Sequence, residues 1–147
     1  MRLLPIATII MSLGALLAAE EDAVRINAPS VTVTLEGSGK VLRYDRHFLL
    51  AKKKAAQLAE GILSRRIRPI DAVKAIEAAK ASVFLGDAAD PLQITKLELL
   101  KVEVGLHTEL EYFLITVLAS GSEEYRVVLP DGTVLKPEIK PSLSEGG

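Results

Sequence analysis

Leu110-Glu-Tyr-Phe-Leu-Ile-Thr-Val-Leu118 is the stretch around which the rest of the chain arranges itself. It is rich in β-branched and aromatic residues, contains neither Gly nor Pro, and is bounded by Gly105 and Gly121. Such a run reads as a strand buried over most of both faces, because a strand with one wet face alternates apolar with polar. Two further apolar runs follow: Tyr125 to Leu129 after Ser120-Gly-Ser122, and Val134 to Ile139 after Pro130-Asp-Gly132. Strands joined by turns this short pair antiparallel, so the C-terminal part is expected to be a β-meander.

Outward from this meander, Ile94 to Val104 reads as another strand, but with a change of phase. Leu97 and Leu99 point one way, and Leu100, Val102 and Val104 continue in the other register. A β-bulge at Leu99-Leu100 would restore a single buried face. Two helices are expected before it. The first is capped by Asp45, runs to about Ser64, and carries one apolar stripe of Phe48, Ala51, Ala55, Leu58 and Ile62. Ser64-Arg-Arg-Ile-Arg-Pro69 breaks it, since the residue before a proline is pushed out of the α region. Pro69 suits the first turn of the second helix, with Asp71 near its positive end and Ala72, Ile76, Ala79 and Val83 as its stripe. Gly86 to Pro91 ends that helix. Nearer the N-terminus, Val31 to Leu35 alternates as a half-buried strand, Glu36 to Lys40 is a turn, and Val41 to Arg43 completes a hairpin. The expected fold is α+β: two helices packed on one face of a four- to five-stranded antiparallel sheet spanning residues 31–140. Residues 20–30 read as a linker and 141–147 as a disordered tail.

With 147 residues, 49% of them hydrophobic, the chain can bury a core without staples. It has no cysteine, which excludes disulfides, thiolate metal sites and cysteine nucleophiles. The lack of Trp and the scarcity of aromatics argue against stacking platforms for bases. Residues 1–19 place Arg2 before an apolar run, Leu3 to Ala19, followed by Glu20-Glu-Asp22. That is the pattern of a secretory signal peptide cleaved after Ala19, with an uncleaved membrane anchor as the rival. The expected location is extracytoplasmic, periplasmic or secreted, with membrane contact only if the segment is retained. Without Arg2, 17 basic residues face 19 acidic ones, a net charge of −2 that speaks against a nucleic-acid partner.

Residues with chemical potential are few. Gly39-Lys40 does not make a phosphate loop, because Thr34 stands where the first Gly is needed and Val41 where a hydroxyl would hold magnesium. His47 and His107 are the only histidines; too few to form a zinc site without acidic help, they are expected at the surface. Glu109 and Glu111 share a strand face, but side chains two apart leave no gap for a substrate between them. No serine lies in a nucleophile elbow. The basic clusters, Lys52-Lys53-Lys54 and Arg65-Arg66 with Arg68, are read first as solvated helix surface and otherwise as contacts for an anionic partner. No catalytic residue, metal ligand or cofactor site is assigned. Glu109, Glu111 and Phe113, with Lys52, Lys53 and Lys54, are the candidate binding residues.

From Ile70 onward the order is one helix and then strands. Three segments mark it: Ile70-Asp-Ala-Val-Lys-Ala-Ile-Glu-Ala-Ala79, then Glu111-Tyr-Phe-Leu-Ile-Thr-Val117, then Tyr125-Arg-Val-Val-Leu129 with Asp131-Gly-Thr-Val-Leu135. Over residues 70–139 they resemble the opening helix, the aromatic-led strand and the closing hairpin of the PepSY family of small extracytoplasmic modules. The resemblance implies association with, or inhibition of, exported peptidases, and carries no catalytic residues. The functional expectation is an exported, non-catalytic binding or regulatory module with a protein partner. The alternatives are a membrane-anchored structural envelope protein and a small exported hydrolase of unrecognised type.

Overall fold

The computed structural model describes residues 22–35, 37–83 and 91–141. In chain order the elements are β1 (Ala23–Thr34), β2 (Val41–Ala51), α1 (Lys52–Leu63), α2 (Ala72–Ser82), β3 (Gln93–Gly105), β4 (Thr108–Ala119), β5 (Ser122–Val128), β6 (Val134–Leu135) and β7 (Glu138–Pro141). The α+β class holds, but the strands form two antiparallel sheets where one was expected. The first sheet has the order β1-β2-β7, and the second β3-β4-β5-β6.

Proline chemistry explains the division. The run expected as one strand from Val134 to Ile139 is interrupted at Lys136-Pro137, where the ring removes a ladder donor. Val134 and Leu135 close the second sheet against Val128 and Val127. The chain then crosses to the first sheet, where Glu138 and Ile139 pair with His47 and Arg46. Lys140 and Pro141, the latter expected in the tail, belong to this strand; residues 142–147 lie outside the described residues.

The N-terminal half departs furthest from expectation. The segment read as a linker is strand from Ala23 onward. Its alternation was hidden by Pro29-Ser30, which the structure absorbs in a register shift between Ala28 and Val31 on an edge strand. Asp45 caps no helix, because Val41–Ala51 pairs with β1 along its length. Phe48 belongs to a period of two with Leu50, and both are buried in the core. The helical stripe is real only from Ala55 through Leu58 to Ile62. Asp71 does act at a helix start: it is the N-cap of α2, and its Oδ1 accepts from the Lys74 N–H at 2.9 Å. Pro69 thus precedes the helix, and the expected terminator Gly86 to Pro91 falls mostly outside the described residues.

Two apolar clusters use opposite faces of the second sheet. Ile26, Phe48 and Leu50 of the first sheet and Ala55 and Leu58 of α1 meet Leu110, Tyr112, Leu114, Tyr125 and Val127. On the other face, Ala75, Ala79 and Val83 pack against Ile115, Val117 and Val128. The helices therefore do not share one sheet face. This removes the need for a bulge at Leu99-Leu100: Leu97 faces the α2 cluster, while Leu100, Val102 and Val104 face the inter-sheet cluster. Pairing between β3 and β4 runs without a shift from Lys96 to Glu103, and the irregularities lie at its two ends.

Candidate functional site: an open edge of the central strand

β4 is the inner strand around which both clusters form, yet its partner β5 covers only part of it. The β4–β5 ladder extends from Ala119 back to Phe113 and stops there, because the chain turns at Leu129 and Pro130. Thr108 to Tyr112 keep their pairing with β3 and have no strand on the other side among the described residues.

A groove of about 390 Å³ runs along this edge. One wall is His107 to Glu111, with Lys101 above it; the other is Ala59, Ile62 and Leu63 from the end of α1, together with Pro69 and Pro130. A smaller hollow of about 150 Å³ continues it over Leu99, Tyr112 and Phe113, sharing Pro69, Glu111 and Pro130. The apolar wall is held by backbone bonds. Arg66 and Ile67 donate to the Gly61 carbonyl at 2.8 and 2.9 Å, folding the chain back tightly after α1. Ile70 donates to the Pro130 carbonyl at 3.0 Å, which fixes the two prolines beside each other. Lys54 fastens the same loop through Asp131 at 2.7 Å.

The polar rim is acidic in excess. Lys101 Nζ lies 3.9 Å from both Glu109 and Glu111, sharing one positive charge between two carboxylates. Glu103 stands directly opposite Glu109 across the ladder, a like-charge pair that costs stability. The Glu109 and Glu111 side chains are each 56% exposed, so the arrangement suits ion pairing with a visiting cation. His107 lines the groove from a turn with φ of 59°, and no serine is among the lining residues.

Of the residues singled out in the sequence, Glu109 and Glu111 are brought together at the groove. Phe113 is half-buried against the α2 cluster and reaches only the smaller hollow. Lys52, Lys53 and Lys54 stand at the opposite end of α1 from Leu63, about 15 Å away along its axis. His47, expected at the surface, is 1% exposed: its Nε2 meets Glu138 at 3.4 Å, and Nδ1 has no hydrogen-bond partner among the described residues. The strand assignment of Val41–Ala51 explains the difference, since it places His47 between β1 and β7. No cluster of three or more His, Asp or Glu able to hold a metal occurs among the described residues.

Leu63, Pro69, Lys101 and Pro130 were not anticipated as site residues. The one legible signal among them is Pro130, which cannot donate to a neighbouring strand and follows the end of β5. Comparison with known protein families, curated proteins and solved structures finds no match to this chain.

Proposed function

We propose that the protein is an exported, non-catalytic binding or regulatory module that holds a partner protein in the groove beside β4. The observation that carries this reading is the termination of the β4–β5 ladder at Phe113, which leaves a strand edge facing an apolar wall with an acidic rim. A groove pairing apolar walls with a few placed charges is the usual form of a recognition site. The apolar run from Leu3 to Ala19 supports export, and the PepSY resemblance over residues 70–139 points to an exported peptidase as the class of partner.

Comparative pull-down from an envelope extract tests it. The wild-type protein should retain a partner that Leu63→Asp loses, because a charge would enter the apolar wall, while Lys53→Glu at the far end of α1 keeps it. Equal recovery by all three, or recovery by none, rejects the groove as the contact surface. The same apolar run favours a second reading, a structural envelope protein anchored by residues 1–19; no helix among the described residues is long and apolar enough to cross a membrane. Fractionation separates the two, since a product in the soluble fraction contradicts anchoring.

A further inference from the structure

We infer that the groove takes an extended polypeptide segment as an added strand on β4, with basic side chains two apart and an apolar one between them. This rests on the groove being the contact surface and names what fills it. Three features point the same way.

The first is the backbone. Thr108 to Tyr112 are in strand conformation with, among the described residues, a ladder on the β3 side only, so alternate residues direct their N–H and C=O toward the groove. Opposite them stand Pro69 and Pro130, neither of which supplies an N–H. An extended segment is the ligand whose main chain satisfies such an edge, and edge addition is a general mode of peptide recognition. The free edge is about 17 Å long, room for some five residues.

The second is the alternation of side chains. Glu109 and Glu111 share one face of the sheet, and Leu110 between them turns into the inter-sheet core. Residues directly opposite on an antiparallel neighbour lie on the same face, with Cβ atoms about 5 Å apart. An added strand therefore sets two side chains beside Glu109 and Glu111, and directs the intervening one toward Ala59, Ile62 and Leu63. Leu63 is 81% exposed in the free protein and gains most from being covered.

The third is charge. On this face of the β3–β4 hairpin, Glu109 and Glu111 share Lys101, and Glu103 opposes Glu109 directly. A cationic side chain beside Glu109 is attracted by that carboxylate and, more weakly, by Glu103 across the ladder. An acidic or purely apolar strand would meet the same edge without this attraction, and an acidic one would add repulsion.

The test uses the full chain and an end-capped pentapeptide, Thr-Lys-Leu-Lys-Thr, titrated at millimolar concentration while backbone amides are followed by NMR and hydrogen exchange. Binding should slow exchange at alternate amides between Thr108 and Tyr112. Two N-methylated isomers, blocked at odd or at even positions, should differ: one should bind at least about tenfold more weakly than the other, because only one set of amides faces β4. Glu109→Gln with Glu111→Gln should weaken binding of the parent peptide and reduce its salt dependence, while the far-ultraviolet circular dichroism spectrum stays that of the folded wild type. Isomers of equal affinity, protection elsewhere, or no binding overturn strand addition; unchanged binding to the Gln variant overturns the basic specificity. Either result alongside partner loss by Leu63→Asp in the pull-down leaves the groove as contact surface and rejects only this occupant.

Discussion

Asp131 shows how single residues hold the groove's far wall in place. Partial burial works to raise its carboxyl, but the Lys54 ammonium at 2.7 Å and the Thr133 N–H at 3.0 Å outweigh this and hold it below the ordinary carboxylate value. A depressed folded-state value means that the pair stabilises the fold above the unfolded carboxylate's pKa, about 4, and that this contribution is lost as pH falls through the folded value. Lys54 is 43% exposed, so solvent screening keeps the contribution small. Asp131→Asn should therefore lower stability by about 1 kcal/mol or less at pH 7, with the difference from wild type shrinking below pH about 4. Urea midpoints measured at both pH values check the sign, and a deficit that persists in acid would assign the effect to something other than the ion pair. Gly61 is a second such residue. A Cβ there would run into the Ile67 side chain, which the Gly61 carbonyl has drawn close by accepting from the Ile67 N–H. Gly61→Val should cost about 1–3 kcal/mol through overpacking and should disorder the wall that carries Leu63. Unfolding together with NMR of the Leu63 methyls would detect both effects; an unchanged midpoint contradicts the close approach.

At the scale of elements, what the sequence reveals depends on whether a segment's surroundings are local. The stretch from Leu110 to Leu118 is legible as a two-faced buried strand because its own residues state it, and it is β4. The β4–β5 connection is equally local, and φ values of 49° at Ser120 and 79° at Gly121 mark the turn. β2 is not legible in the same way. Phe48, Ala55 and Leu58 sit at spacings that suit one helix, and only pairing with β1 and β7 over Tyr44 to His47 commits that part to a sheet. The phase change in β3 is a true signal whose cause is tertiary: two covered faces, each at a different end of the strand. The site divides similarly. Glu109 and Glu111 are visible from their spacing, whereas Leu63, Pro69 and Pro130 become a wall only when separate loops meet. The start of α1 is the element's weak point. Ala51 offers no side-chain cap, and three lysines crowd the positive end of the helix dipole. Ala51→Asp should raise stability by about 0.5–1 kcal/mol, read as a higher Tm, by capping the helix and offsetting those charges. A lower Tm would mean that the position serves the β1–β2 ladder more than the helix.

Across the whole molecule, the two apolar clusters are joined through one sheet. Leu110, Tyr112 and Leu114 of β4 belong to the inter-sheet core, while Ile115 and Val117 of the same strand belong to the α2 core. Each core loses a wall if β4 leaves, so neither can melt alone, and unfolding should be a single cooperative transition. The tyrosines make this testable. Tyr112 and Tyr125 are buried in the inter-sheet core, with Arg46 of the first sheet 4.9 Å above the Tyr125 ring, and the chain has no Trp to obscure them. With the third tyrosine, the half-buried Tyr44, replaced by Phe in every protein compared, tyrosine fluorescence reports one core, while far-ultraviolet circular dichroism reports the whole fold. Ile115→Ala opens a cavity on the opposite face and should cost about 3 kcal/mol. If β4 couples the cores, that substitution moves the fluorescence and dichroism midpoints together, by equal amounts and with unchanged slope. A fluorescence midpoint that stays at its wild-type value while dichroism falls would show that the α2 layer unfolds independently of the sheets. The groove would then be bordered by two separately stable units, and its Pro69–Ile70 wall, at the entry to α2, would be the part free to move when a strand is added.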